Sequence, residues 1–169
     1  MVTYAQTPEE DGYVKEAEQE VNHFGFKNVL VVNMQNPADI DTLGDFDVIY
    51  VCGGNTFAIL NKLRETGLDA FIINQIKSRA IYVGVSAGSI IAGPDIETAG
   101  WGVSGDPNKI GMKDFKAFGL TDIIISPHFQ EERRGEIEEW REKIKNRIIE
   151  ITDDQAVWVE NGLPKLLTP

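Results

Sequence analysis

A serine stands between two glycines in the stretch Gly84-Val85-Ser86-Ala87-Gly88. The apolar run Ala80–Val83 precedes this stretch, and a helix-compatible run, Ser89–Ala92, follows it. Glycines permit the sharp strand-to-helix turn that presents a serine hydroxyl as a nucleophile. A helix N-terminus also favours the negative charge that develops when a carbonyl is attacked. The alternative interpretation is a tight glycine-rich turn with an incidental serine.

An activated serine needs a base, and the chain contains only two histidines. His128 follows the predicted strand Ile123–Ser126, and ligands of open α/β sheets bind beyond the carboxyl ends of the strands. We therefore expect His128 and Ser86 at one edge of the sheet, although a loop histidine satisfied by backbone groups is the alternative. His23 lies just before Gly25, the predicted end of the first helix, where a structural role at the last carbonyls is the simplest interpretation.

A second strand-to-helix turn occurs at Cys52-Gly53-Gly54-Asn55-Thr56. Its glycines expose backbone N–H groups, and Asn55 is a suitable helix N-cap. The N–H groups of Gly54 and Ala87 are candidate donors to an oxyanion, whereas the alternative is a turn that simply favours glycine. We interpret Cys52, which precedes the turn, as a small core residue.

A third group must orient the base, and carboxylates usually take that role. Spacing alone does not choose among the acids of the second half, because such triads are set by geometry and not by sequence order. The candidates are Asp95, Glu97, Asp106, Asp114, Asp122, Asp153 and Asp154.

Length and composition are typical of one globular domain with a hydrophobic core, since 169 residues contain 42% apolar residues. The net charge of −11 makes binding to nucleic acid or anionic lipid by bulk charge an unfavourable hypothesis. The single cysteine excludes an intrachain disulfide and a multi-cysteine zinc site, which favours a cytoplasmic location. We expect neither a membrane span nor a signal peptide.

Apolar runs alternate with helical patterns, which predicts an α/β sheet with crossover helices in one domain over residues 1–169. The predicted strands are Val2–Ala5, Asn28–Met34, Asp47–Cys52, Ala80–Val83, Ile123–Ser126 and Ala156–Glu160. The predicted helices are one that starts at a capping box, Thr7–Glu10, and stops at Gly25, then Thr56–Thr66, Leu68–Lys77 and Glu131–Ile149. The glycine-rich segment 94–119 is expected to be a long functional loop.

These motifs together resemble the aspartyl dipeptidase (dipeptidase E) and cyanophycinase family of serine peptidases. The matching segments, in the family's order, are Gly53-Gly54-Asn55-Thr56-Phe57, Leu63-Arg64-x-x-Gly67, Gly84-x-Ser86-Ala87-Gly88-Ser89 and Pro127-His128-Phe129. The resemblance implies a fold like that of class I glutamine amidotransferases: a flavodoxin-like, three-layer α/β sandwich with a mostly parallel sheet.

The resemblance also implies roles for individual residues. Ser86 would be the nucleophile and His128 the base, with Gly54 and Ala87 as oxyanion donors. The family's acid lies shortly before a late strand and matches best at Asp153, with Asp154 as the alternative after a one-residue slip. The substrate would be a short peptide, the loop 94–119 would shape its pocket, and neither metal nor cofactor would be required.

Two departures from the family pattern bear on substrate and assembly. Aspartyl dipeptidases carry an arginine after a Gly-Glu pair downstream of the histidine, whereas Gly135-Glu136 is followed here by Ile137-Glu138. Arg133, Arg134 and Asn55 remain as candidate substrate-binding residues, and a preference for aspartyl peptides is doubtful. Relative to the family pattern, we also expect about 30 residues, roughly one strand–helix unit, to be missing at the start, which would expose a sheet edge that a second copy in a homodimer would cover.

The sequence leaves two other function classes open. One is a catalytically inactive binding or assembly protein on the same fold, and the other is an esterase or amidase with the same three residues.

Overall fold

A computed structural model of the chain describes residues 1–4, 8–36 and 40–169, without the side chains of residues 8–11. Thr7, the first residue of the predicted capping box, lies outside the described residues, as does the Glu10 side chain. Within the described ranges, none of the helices combines the length and apolarity that a bilayer crossing needs.

A four-stranded parallel sheet forms the first half of the fold. Its strands in chain order are β1 (Val2–Thr3), β2 (Val32–Asn33), β3 (Val48–Val51) and β4 (Ile81–Gly84). They lie in the order β2-β1-β3-β4, and every neighbouring pair is parallel. β1, β2 and β3 are shorter than predicted and β4 lies one residue later than predicted, but the mostly parallel α/β architecture is confirmed. Parallel order brings the carboxyl ends of β3 and β4, and therefore both glycine-rich turns, to one edge.

Four helices alternate with these strands. They are α1 (Pro8–His23), α2 (Thr56–Thr66), α3 (Leu68–Ser78) and the short α4 (Ala87–Ile91). The sequence marks both ends of α2. The Asn55 side chain accepts a hydrogen bond from the N–H of Ala58 at its start, and Gly67 adopts a left-handed conformation, φ 74°, at its end.

The main hydrophobic core packs α2, α3 and α4 with the parallel sheet. The largest side chains that are fully buried in it include Met34, Ile59, Leu60, Leu63, Ile72 and Ile91. α2 presents one apolar face to this core because Phe57, Leu60 and Leu63 recur at helical spacing. The burial of these side chains fixes the position of the strand ends that carry the candidate site.

A second parallel pair carries the histidine and the late acids. β5 (Ile124–Ser126) pairs with β6 (Ile148–Glu150), and α5 (Arg134–Lys143), preceded by a 3₁₀ turn at Glu131–Arg133, connects them. The prediction that this helix extends to Ile149 was wrong, because α5 ends at Lys143. Ile144 is extended, with φ −114° and ψ 136°, and a bend at residues 145–146 leads into β6. The β-branched residues that follow pair with β5, so their tertiary position overrides the helical spacing.

An antiparallel hairpin ends the chain. β7 (Ala156–Glu160) was predicted, whereas β8 (Leu163–Leu167) was not. Asn161 and Gly162 connect the strands with positive φ angles of 51° and 74°. Such Asn-Gly pairs are typical of two-residue hairpin turns, so the sequence did contain the signal for β8.

The segment 94–119 is largely irregular, as predicted. It contains a 3₁₀ turn at Glu97–Gly100 and a single antiparallel bridge between Asp95 and Lys116. Arg64 of α2 holds the base of this loop by donating to the carbonyls of Asp114 (2.8 Å) and Lys116 (2.5 Å).

Candidate active site

Ser86 occupies a strained turn between β4 and α4. Its backbone has φ 51° and ψ −113°, which non-glycine residues rarely adopt. Steric contacts require glycine at the two positions that flank this serine, Gly84 and Gly88. A Cβ on Gly84 would lie 2.4 Å from the carbonyl oxygen of Gly88, and one on Gly88 would lie 2.3 Å from that of Val51. No side chain fits at either position, so the two glycines make the turn possible.

Side chains around the turn hold it in place. The buried hydroxyl of Tyr82 donates to the carbonyl of Gly88 at 2.7 Å, and burial raises the pKa of this tyrosine well above its usual range. Tyr82 therefore stays a protonated donor. The Ser89 hydroxyl donates to the Ser86 carbonyl at 2.5 Å, and the N–H of Ser89 donates to the same oxygen at 2.9 Å. The carbonyl side of the serine is thereby fixed while its hydroxyl points outward.

His128 lies two residues beyond the end of β5, and its Nε2 is 2.8 Å from the Oγ of Ser86. It has a positive φ of 56°, which is uncommon for a non-glycine residue. The next residue, Phe129, donates its N–H to the carbonyl of Ile151 at 2.9 Å, so the turn is anchored to the chain that follows β6. The structure thus brings together two side chains that are 42 residues apart.

Asp153 is the acid that reaches the histidine. Its Oδ1 lies 2.6 Å from the Nδ1 of His128, whereas the carboxylate of the adjacent Asp154 accepts from the hydroxyl of Thr152. The His128 and Asp153 side chains are 60% and 80% exposed. With the ring proton on Nδ1 facing the carboxylate, Nε2 is free to accept the serine proton. The arrangement is therefore suited to nucleophilic attack by the hydroxyl.

The turn after β3 lies directly beside the serine. A Cβ on Gly53 would stand 3.1 Å from the Cβ of Ser86, so the bare glycine lets the backbone approach closely. Gly54 has φ +135° and lines both of the cavities next to Ser86. Ala87 is the first residue of α4 and is buried. The two predicted oxyanion donors therefore belong to the two turns that meet at Ser86.

Asn55 and Asp106 tie the loop 94–119 to this turn. The Asn55 amide accepts from Ala58 and donates to the carbonyl of Pro107 at 3.1 Å, so it serves as a cap and a loop anchor. The carboxylate Oδ2 of Asp106 accepts from both the N–H (2.8 Å) and the hydroxyl (2.6 Å) of the fully buried Thr56. These contacts give Asn55 a structural task, and its contact with substrate stays a prediction.

Two cavities open beside Ser86 and His128. The larger has a volume of about 670 Å³ and lies between α1 and the ends of β1, β3 and β4. Burial raises the pKa of Tyr50 in its wall to about 12, so this hydroxyl remains neutral. The smaller cavity, about 130 Å³, is bordered by the loop residues Trp101, Gly105 and Asp106 and by Arg133. The wall of the larger cavity is aromatic and acidic, with Tyr4, Tyr13, Tyr50, Glu16 and Glu20.

The two candidate arginines have different surroundings. Arg133 borders the smaller cavity with Ser86 and His128. Arg134 instead pairs with Glu131 (2.5 Å), stacks on Phe129 and lines a separate groove between α5, β6 and the hairpin. Only Arg133 of this pair is therefore placed near the serine, and the prediction that Arg134 contacts substrate there has no support from its position.

The remaining candidates lie apart from the chemistry or behind it. His23 ends α1 and is exposed. Cys52 is 7% exposed, and burial raises the pKa of its thiol to about 11. The thiol borders the larger cavity but is protonated at neutral pH. Across residues 1–4, 8–36 and 40–169, no cluster of three or more His, Cys, Asp or Glu side chains is arranged to hold a metal ion.

Sequence reasoning missed the residues that support the site from a distance. The sequence offers Asp106 only as a candidate for the acid that orients the base, and Glu136 only as part of the Gly-Glu pair. Their partners stand 50 and 33 positions away in the chain, at Thr56 and Val103. No local pattern marks such pairs.

Comparison with known proteins places the chain in a family. The sequence profile of Peptidase family S51 matches residues 2–167. Peptidase E of Citrobacter koseri is 37% identical over 118 residues, which cover 67% of this chain and 49% of that protein. Peptidase E of Salmonella arizonae is 39% identical over 108 residues, covering 62% and 45%. An uncharacterised peptidase of Listeria monocytogenes is 31% identical over 119 residues, covering 67% and 56%. The chain spans about half the length of these relatives.

Solved structures share the fold. A crystal structure from Listeria monocytogenes, described as a peptidase E protein, superposes with a TM-score of 0.81 at 24% identity and covers 99% of this chain and 85% of that one. A peptidase from an acI-B1 Actinobacterium gives a TM-score of 0.62 at 15% identity, covering 99% and 80%. At these identities the likeness concerns the fold alone.

Proposed function

The chain belongs to Peptidase family S51, and from this we propose that it is a serine peptidase that hydrolyses short peptides with Ser86, His128 and Asp153. The observation that carries the proposal is the unbroken pair of hydrogen bonds through the imidazole. Ser86 Oγ lies 2.8 Å from one ring nitrogen, and Asp153 Oδ1 lies 2.6 Å from the other. This linkage suits a hydroxyl that loses its proton as it attacks.

In the proposed mechanism, the Oγ of Ser86 attacks the scissile carbonyl carbon while Nε2 of His128 accepts the hydroxyl proton. Asp153 holds the ring proton at Nδ1 and stabilises the imidazolium. His128 then gives its proton to the leaving amine, and an acyl-enzyme remains on Ser86. Water, deprotonated by the same nitrogen, releases the second product and restores the serine.

The backbone amides of Gly54 and Ala87 are the proposed donors to the tetrahedral oxyanion. Gly54 lines the larger cavity together with Ser86, Ala87 follows Ser86 at the start of α4, and the Ser89 hydroxyl holds the carbonyl of Ser86. Each well-placed donor of this kind is worth about 3 kcal/mol of transition-state stabilisation.

Short peptides are the proposed substrates because the cavity beside the serine is limited. About 670 Å³ is within the range of pockets that enclose a small ligand, and the loop 94–119 borders the other side. The names of the Peptidase E relatives agree with peptides as the substrate class, without a statement on their length.

Hydrolysis of a dipeptide and tripeptide panel tests the proposal, with the matched variant Ser86→Ala and a parallel set of ester substrates. We expect peptide turnover by the unmodified chain and none by Ser86→Ala at equal thermal stability. Turnover that survives in Ser86→Ala would reject the proposed nucleophile. Cleavage of esters alone would favour an esterase, and binding of peptides without cleavage would favour the inactive binding protein.

A further inference from the structure

The side chain of Arg133 is bound to the backbone of the histidine turn. Its Nη1 donates to the carbonyl of Pro127 at 3.1 Å and, at the longer distance of 3.4 Å, to the carbonyl of His128 itself. These carbonyls belong to the turn in which His128 has φ 56°. A backbone in such a sparsely populated region persists only when its surroundings hold it there.

Glu136 fixes the other side of the guanidinium. Its Oε2 accepts from Nε of Arg133 at 3.2 Å, and its Oε1 accepts the N–H of Val103 at 3.2 Å. The pair is shielded, since the Arg133 and Glu136 side chains are 20% and 22% exposed. The guanidinium also lies 5.6 Å from the ring centroid of Trp140, which limits its freedom further.

A continuous set of contacts therefore joins the loop 94–119 to the histidine turn: Val103, Glu136, Arg133, then the two carbonyls. The same loop reaches the other half of the site through Asp106, which caps α2 at Thr56, two residues after Gly54. The loop is thus bonded both to the turn beside the serine and, through Glu136 and Arg133, to the turn that carries the base.

We propose that Arg133, held by Glu136, is a positioning residue that keeps the imidazole of His128 within reach of Ser86. This inference rests on the proposed function. Arg133 acts through the backbone of His128 and not by touching the substrate. An alternative role, in which Arg133 binds a substrate carboxylate, leaves fewer donors for the task because Nε and Nη1 are already engaged.

Arg134 offers a matched control. It also pairs with a glutamate three residues away, at 2.5 Å, and stacks on an aromatic ring at 5.2 Å. Within the described part of the chain, however, its hydrogen bonds go to Glu131 and not to the carbonyls of the histidine turn, and it lines a groove separate from the serine. Loss of either arginine removes one positive charge, one ion pair and one aromatic contact, whereas only loss of Arg133 frees the histidine turn.

The test measures the rate at which a fluorophosphonate probe labels Ser86 in the full chain and in Arg133→Met, Arg133→Lys and Arg134→Met. We expect the labelling rate to fall about 10- to 100-fold in Arg133→Met, since a displacement of about 1 Å costs a reaction this much. Arg133→Lys should be intermediate because lysine is a single point donor. The final labelled fraction should not change, which separates slow chemistry from unfolding. Arg134→Met should label at the rate of the unmodified chain.

Glu136→Gln provides a second variant that perturbs the pair without removing Arg133. We expect a several-fold slower labelling rate, and little further loss when it is added to Arg133→Met, because both act through one contact. Equal rates in Arg133→Met and Arg134→Met would overturn the inference. The inference would also be overturned if Arg133→Met raised only the KM of an anionic substrate and left its kcat unchanged.

A second measurement of the imidazole position needs no reaction at Ser86. It is the low-field proton resonance of His128 Nδ1–H in the hydrogen bond to Asp153. We expect this resonance to shift or disappear in Arg133→Met and to persist in Arg134→Met. If the unmodified chain is never labelled, the proposed function fails, while this resonance still decides the positioning role. A resonance unchanged in Arg133→Met would contradict that role.

Discussion

The Oγ of Ser86 lies 2.8 Å from the Nε2 of His128, and both residues have a positive φ, 51° and 56°. Among the described residues, four non-glycine positions have a positive φ, so two of the four form this contact. Backbone strain of this kind costs on the order of 1–3 kcal/mol per residue and clusters at functional sites. The close contact is thus held by strained turns at the ends of β4 and β5, and its supports are open to mutation.

The adjacent acids Asp153 and Asp154 provide a matched pair of substitutions. Asp153→Asn should lower kcat by a factor on the order of 10³–10⁴, because the amide favours the wrong imidazole tautomer and removes the charge that stabilises the imidazolium. Asp154→Asn should have little effect, because its carboxylate bonds to Thr152. Steady-state kinetics on one peptide substrate of both variants makes the comparison, and a larger loss in Asp154→Asn would assign the acid to the wrong residue.

Gly88→Ala should destabilise the fold. The added Cβ would lie 2.3 Å from the carbonyl oxygen of Val51, so strand and turn must separate, at a cost of about 1–3 kcal/mol or more. Gly12→Ala in α1 is the control, since a Cβ there meets nothing within 4 Å and alanine should stabilise the helix by about 0.5–1 kcal/mol. Urea unfolding measures both free energies. Equal stability of the two variants would show that the turn is not packed as described.

The sequence predicts elements whose ends are marked locally. The bounds of α2 are predicted correctly because Asn55 caps its start and Gly67 ends it. The glycines around Ser86 likewise mark a turn for which the structure gives a steric reason. Local chemistry and tertiary structure agree at these points, and prediction succeeds.

Prediction fails where the tertiary context decides. Ile137, Trp140, Ile144 and Ile148 keep helical spacing, yet the chain leaves the helix after Lys143 and Ile148 pairs with β5. Hydrophobic spacing reports only that these side chains are buried, and both a helix and a central strand bury them. The contacts made by Asp106 and Arg133 could not be predicted from the sequence for a similar reason, because only the fold brings their partners to them.

Removal of the Asp106 carboxylate should loosen the first turn of α2. Asp106→Ala leaves two buried donors of Thr56 without their acceptor, which should cost about 1–3 kcal/mol and slow reaction at Ser86 by displacing the Gly54 turn. Asp114→Ala is the control. Asp114 also lies in this loop, but its 3.3 Å ion pair with Arg64 is exposed, so its loss should cost less than about 1 kcal/mol. Chemical denaturation distinguishes the two, and an equal cost would refute the cap.

Cys52 should resist alkylation in the native protein. Burial raises the pKa of its thiol to about 11, so at neutral pH only about one molecule in 10⁴ carries the reactive thiolate. Iodoacetamide at pH 7.5 should leave Cys52 unmodified in buffer and modify it in concentrated urea, as read by mass spectrometry. Rapid alkylation of the folded chain would reveal an accessible thiol and would contradict the burial of Cys52.

The same thiol gives a pH dependence with a defined sign. The unfolded thiol ionises near its ordinary pKa of 9.0, and the folded one near about 11. Its contribution to stability is therefore complete below pH 9 and is lost as the pH rises from 9 to about 11. The free energy of unfolding should decline across this window, and less so in Cys52→Ala.

The most direct test of the account is the site at which a fluorophosphonate probe forms a covalent adduct. Digestion and mass spectrometry of the labelled chain should find one adduct, on the Oγ of Ser86, absent in Ser86→Ala and greatly slowed in His128→Ala. A folded chain that stays unlabelled, or one labelled at another residue, would contradict the claim that Ser86 and His128 form a reactive pair.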